Sequence, residues 1–107
     1  MKCFTLILGA RHTSATGPRF KAADDRRIRE ITRSHFPDGF TILEANGGWF
    51  DPEKKRFVNE ESRQILVCSP SRRRLTAWCE ELAGALKQKE LLVVEAGTAL
   101  RFRPGLR

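Results

Sequence analysis

The stretch FTILEANGGWFDPEKKRFVNEESRQILVCS, Phe40–Ser69, decides the fold. Residues that favour extended chain fill both ends, and the charged segment Asp51–Arg56, with Pro52 inside it, supplies a turn between them. The reading is a long hairpin. Its first strand begins at Phe40, its return restarts at Phe57-Val58, Asn59–Ser62 interrupts it, and Arg63–Ser69 completes it. Glycine weakens a strand interior, so Gly47-Gly48 beside Trp49 calls for a reason. A bulge there would twist the hairpin and seat the Trp49 ring against the sheet or a helix end. Glu60 and Ser62 fall where the returning strand passes that bulge, placed to satisfy amides it leaves unpaired.

Working outward, Pro37-Asp38-Gly39 closes the element before the hairpin, with Gly39 taking a positive φ. That element, Ala22–Phe36, has helical spacing of Ile28, Ile31 and Phe36, and Asp24 and Asp25 suit its N-terminus. Lys2–Gly9 is an apolar strand, joined to the helix by the turn-rich loop Ala10–Lys21. Beyond the hairpin, Ser69 or Ser71 caps a second helix with an apolar stripe of Leu75, Trp78, Cys79, Leu82, Ala85 and Leu86. Leu91–Phe102 reads as the last strand.

The order β-α-β-β-α-β, with right-handed crossovers, points to an α+β, ferredoxin-like βαββαβ sandwich: an antiparallel sheet with two helices on one face. Residues 1–103 form the single domain and 104–107 a frayed tail. A sheet covered on one side should alternate apolar and polar residues. Phe4–Leu8, Ile65–Cys68 and Leu91–Val94 are instead apolar on both parities, so the second sheet face is expected to meet something, most simply a second copy of the chain.

A chain of 107 residues with 40% hydrophobic and 31% charged residues supports one compact domain. No apolar run approaches the roughly 18 residues of a membrane span, and no signal peptide is evident, so a cytoplasmic protein without membrane contact is expected. The three cysteines, Cys3, Cys68 and Cys79, are odd in number and lack CxxC spacing. They are expected as buried, unpaired thiols, with neither a disulfide nor a metal site, and no cofactor is implied.

Phe36-x-Asp38-Gly39-Phe40-Thr41, then Gly48-Trp49, then Glu60-x-Ser62 and an apolar strand resemble a small bacterial domain family of unknown function found in chromosomal, plasmid and phage genes. The resemblance implies a ferredoxin-like fold and no particular activity. The arginine load and the long Ala10–Lys21 loop depart from the family pattern.

The net charge of +7, mostly arginine, favours an anionic partner. Arg72, Arg73 and Arg74 occupy the first turn of the second helix, where the macrodipole prefers acids. Backbone amides and guanidinium groups together suit phosphate or carboxylate. Arg11, Arg19 and Lys21 lie in the first strand-to-helix loop and are expected at the same end of the sheet, in one patch with the three helix arginines. Base stacking of the RNA-recognition kind is disfavoured: strand one offers Phe4, but Arg63–Ser69 has no aromatic residue. The chain has no Tyr and no nucleophile with a base placed by local pattern, so no catalytic residue is assigned.

The expected function is that of a non-enzymatic binding module, encoded by a phage or plasmid, that engages a nucleoprotein complex or acidic protein surface, in the manner of an anti-CRISPR inhibitor of host defence. A small dimeric enzyme or ligand binder using the open sheet face, and a direct nucleic-acid binder, stand as alternatives.

Overall fold

The computed structural model describes residues 1–10, 19–69, 71–88 and 91–98, so Arg11 and the expected tail from residue 104 lie outside the described residues. The elements run β1 (Lys2–Gly9), α1 (Ala22–His35), β2 (Thr41–Asp51), β3 (Arg56–Ser69), α2 (Arg72–Ala85) and β4 (Leu92–Thr98). The sheet order is β2-β3-β1-β4, with antiparallel pairing at every step. This is the ferredoxin-like sandwich that the periodicity predicts.

Side chains alternate along each strand, so Phe4, Leu6 and Leu8 of β1 share a face with Ile65 and Val67 of β3. That face is buried against Ile28, Ile31 and Phe36 at the α1 side and Leu75, Trp78 and Leu82 of α2. Trp78 locks the two helices together. Its indole N–H donates to Thr32 Oγ1 at 3.0 Å, and the Phe36 ring meets it edge-on at 5.1 Å. Burying the indole without that acceptor would leave an unpaired donor in the core.

The helix ends follow local chemistry. At α1, the Lys21 N–H donates to Asp24 Oδ2 at 2.9 Å, and Asp24 and Asp25 complement the positive end of the dipole. Pro37 stops the helix, and Gly39 takes φ +147° with its N–H donating to the Phe36 carbonyl. Ser71, rather than Ser69, caps α2, its hydroxyl accepting from the Arg74 N–H at 3.2 Å.

Three features of the predicted hairpin are corrected. Asn59–Ser62 does not interrupt β3, whose fourteen residues run unbroken. No bulge marks Gly47-Gly48, because the register from Thr41↔Leu66 to Asp51↔Arg56 has no shift; the irregularity lies instead between β1 and β4, at Cys3/Phe4. Trp49 is not seated in the core but stands 48% exposed on the far face. Gly48 has a simpler reason: a Cβ there would come within 3.3 Å of the Phe57 ring, so glycine makes room for an aromatic on the neighbouring strand. Gly47 pairs with Glu60, and Ser62 lies opposite both Ala45 and Gly9.

The thiols also differ from expectation. Cys3 and Cys68 are directly opposed on the two central strands and form a disulfide, while Cys79 is free. Spacing along the chain hid a pair that the register makes adjacent across 65 residues. Among the described residues no group of three or more His, Cys, Asp or Glu is placed to hold a metal ion. None of their helices is long and apolar enough to cross a membrane.

Candidate binding surfaces

The antiparallel pairing of β1 with β3 fixes where the arginines go. Lys2 lies opposite Ser69 and Gly9 opposite Ser62, so the β1–α1 connection leaves one end of the sheet and the β3–α2 connection the other. Arg19 and Lys21 therefore lie roughly 24 Å from Arg72–Arg74, the length of an eight-residue strand, and do not form one patch with them. The single-patch expectation is overturned, because β1 and β3 run in opposite directions.

At the α2 end, Arg72, Arg73 and Arg74 are all exposed. The helices run antiparallel here, and the last turns of α1 add exposed Arg29 and Arg33. Two of these side chains lean on aromatic rings: Arg74 sits 5.8 Å from the Phe36 centroid and Arg29 6.0 Å from that of Phe40. Among the described residues no acid forms an ion pair with Arg72, Arg73 or Arg74, and α2 has no acidic residue in its first turn. Guanidinium groups held at a helix N-terminus without internal counter-ions present unspent charge to solvent.

At the other end Arg19 and Arg63 are already paired with carboxylates. Arg63, which sequence reasoning passed over as a strand terminus, is 6% exposed on the helix side of the sheet. Its Nε donates to Asp25 Oδ1 at 2.9 Å and its Nη2 to Oδ2 at 3.3 Å, and its plane stacks 4.3 Å from the Phe20 ring centre. Glu44 and Glu61 stand within 4 Å of the same guanidinium. The Asp25 hydrogen bond, with attraction from all three carboxylates, raises its pKa further against the cost of burial. Glu61 binds Arg19 Nη1 at 2.8 Å and accepts the Phe20 N–H at 3.0 Å. Those two bonds, the backbone one foremost, hold its carboxyl below the ordinary carboxylate range. The signal was in the parity: 63, 65 and 67 share one face of β3, so an arginine at 63 had to be buried with Ile65 and Val67.

Beside this cluster, a cavity of about 310 Å³ is lined by Gly9, Phe20, Asp24, Ala85, Leu86, Lys87 and Gln88. Gln88 Nε2 donates to the Gly9 carbonyl at its wall.

The open sheet face is the third surface. Leu43, Leu66, Leu92 and Val94 are all exposed there, as is Trp49 farther along the hairpin. Thr5 and half-buried Ile7 lie between them on β1, with the Cys3–Cys68 bridge at one margin.

A family model described as a protein of unknown function, DUF3574, matches residues 5–96. The chain belongs to the DUF3574 family. No curated protein sequence matches it. Among solved structures, a phage SAM lyase in its apo state is similar at 18% identity and TM-score 0.58, covering 90% of this chain and 81% of the other. GlnK of B. subtilis in its ATP complex is similar at 13% identity and TM-score 0.57, with 98% and 92% covered. The CutA divalent cation tolerance protein of Archaeoglobus fulgidus is similar at 10% identity and TM-score 0.56, with 92% and 88% covered. At these identities the likeness establishes the fold of this DUF3574 domain and leaves its chemistry open.

Proposed function

We propose that this DUF3574 domain is a non-catalytic binding module that docks its α2-end arginines, Arg72, Arg73 and Arg74, onto the anionic surface of a protein or nucleoprotein complex. The observation that carries the reading is the set of three arginines opening a helix whose first turn holds no acid and which, among the described residues, no carboxylate neutralises. The arrangement costs the helix dipole energy and is compensated when phosphate or carboxylate binds. Arg19 is committed to Glu61, and both Arg19 and Lys21 lie at the opposite end of the sheet, so they play no part in this surface. The narrowest form of the proposal is an inhibitor of a host defence complex, encoded by a phage or plasmid; small size and a net charge of +7 support it. The exposed apolar residues of the sheet, Leu43 and Trp49 of β2 among them, support self-association as the second half of the reading. A cytoplasmic setting fits only with Cys3 and Cys68 reduced, since cytosolic thiol pools oppose disulfides.

The test titrates single-stranded DNA and polyglutamate separately against salt. Binding through the arginines falls steeply with ionic strength, and neutralising Arg72, Arg73 and Arg74 together reduces the salt slope by about 2 to 3 for a nucleic acid without lowering stability. A slope confined to DNA assigns phosphate, and one confined to polyglutamate assigns carboxylate. An unchanged affinity in the triple variant overturns the proposal.

A second reading, a small-ligand module, moves from the open sheet face to the cavity beside Phe20. There an aromatic wall and opposite charges from Asp24 and Lys87 converge, as in many ligand pockets.

A further inference from the structure

The two edges of this sheet are built differently. The ladder of β4 with β1 carries a register shift, a feature that discourages a further strand. β2 has eleven residues in unbroken register with β3, contains no Lys, Arg or Pro, and among the described residues pairs with nothing on its outer side. Natural edges are usually blunted by lysine, proline or a bulge; β2 has none of these and carries only Glu44 and Asp51 as charges, so in a chain this basic it is an edge open to an occupant.

We propose that the outer edge of β2 pairs antiparallel with β2 of a second copy, about a two-fold axis at Asn46, making a continuous eight-stranded sheet. The sequence of β2 is self-complementary in that register. Asn46 faces its own copy, Ala45 faces Gly47, Glu44 faces Gly48, Leu43 faces Trp49 and Ile42 faces Phe50. Residues directly opposed in an antiparallel pair point to the same side, so each large apolar side chain of the strand meets one from the other copy. Leu43 and Trp49 meet on the open face, and Ile42 and Phe50 on the helix face. Leu43, Trp49 and Phe50 are each about half exposed in the single chain. The two glycines sit opposite the smallest residue and the one charged residue of the strand centre. A two-fold axis normal to the sheet allows only slips of two residues, and these set Leu43 opposite Gly47 or Asp51. Strand β2 extends beyond the end of β1, since Gly9 is matched with Ser62 and the hairpin continues to its turn. In the pair, each projecting hairpin arm lies along the base of its partner's β2. The net charge is no obstacle, because β2 contributes none of the arginines.

The test uses cysteines in a Cys79→Ala background. Asn46→Cys joins two copies covalently on mild oxidation, seen on a non-reducing gel. Asp51→Cys does not, because two such residues would be about 33 Å apart in this register. In sedimentation velocity, Phe50→Lys weakens self-association at least tenfold. Leu92→Lys, on the open face away from β2, leaves it unchanged; circular dichroism verifies that both fold. Equal cross-linking at 46 and 51, no cross-linking at 46, or dissociation by Leu92→Lys alone would overturn the edge pairing. Because no arginine is altered, the outcome is separate from that of the salt titration.

Discussion

Replacing Arg63 with alanine is the sharpest test of how the sheet end is held. Three contributions are lost at once. The paired hydrogen bonds to Asp25 count toward the low end of the 1.5–3 kcal/mol typical of charged groups, because the Asp25 side chain is 43% exposed and partly solvated. The stack on Phe20 adds about 1 kcal/mol, and the buried aliphatic stem about as much again. The total, about 3 to 4 kcal/mol, is a large share of a small domain's stability and corresponds to a fall in melting temperature of roughly 15–20 °C. Urea denaturation followed by tryptophan fluorescence measures it, with buried Trp78 as the reporter. A double-mutant cycle with Asp25→Ala isolates the pair and should show a coupling of at least about 1 kcal/mol. A loss under about 1 kcal/mol in the single variant, with no coupling in the cycle, would mean that the guanidinium is solvated and the reasoning wrong.

The two tryptophans should separate cleanly: Trp78→Ala costs about 3–5 kcal/mol, whereas Trp49→Ala in the isolated chain costs under about 1 kcal/mol, by denaturant titration of each variant. Reduction of Cys3–Cys68 should lower stability by about 4 kcal/mol at most, from the chain entropy released over its 65-residue separation, measured as urea midpoints with and without dithiothreitol. Glu61 has a folded pKa below its ordinary value of 4.5. Its contribution is therefore fully present above that value and disappears as the pH falls through the lowered folded pKa; Glu61→Gln should flatten the acid limb of the stability profile, and an unaltered limb would refute the assignment.

Much of the architecture was legible because period and punctuation agreed. Ile28, Ile31 and Phe36 fell at helical spacing, Pro37-Asp38-Gly39 ended the helix, and the apolar strands ran on both parities, as a sheet with a second apolar face requires. What stayed hidden depends on register, which local pattern does not carry. Cys3 and Cys68 become neighbours only when β1 and β3 are aligned, and the same alignment sends Arg19 and Arg72 to opposite ends. The glycines misled for a related reason. A Gly pair looks alike whether it bends its own strand or clears space for Phe57 on the next, and only the second is observed. The buried Arg63 lay within reach of parity, but the sequence marks it only as the first residue of the apolar segment Arg63–Ser69.

The overhanging hairpin gives the molecule principal extents of 58 × 26 × 23 Å and a radius of gyration of 16.0 Å, against about 13 Å for a compact chain of this length. A rod-like particle experiences more drag than a sphere of equal mass. On a gel-filtration column calibrated with round proteins, the single chain therefore elutes early, at the position of something heavier. Its stoichiometry has to be weighed by sedimentation equilibrium or light scattering, which respond to mass rather than to friction.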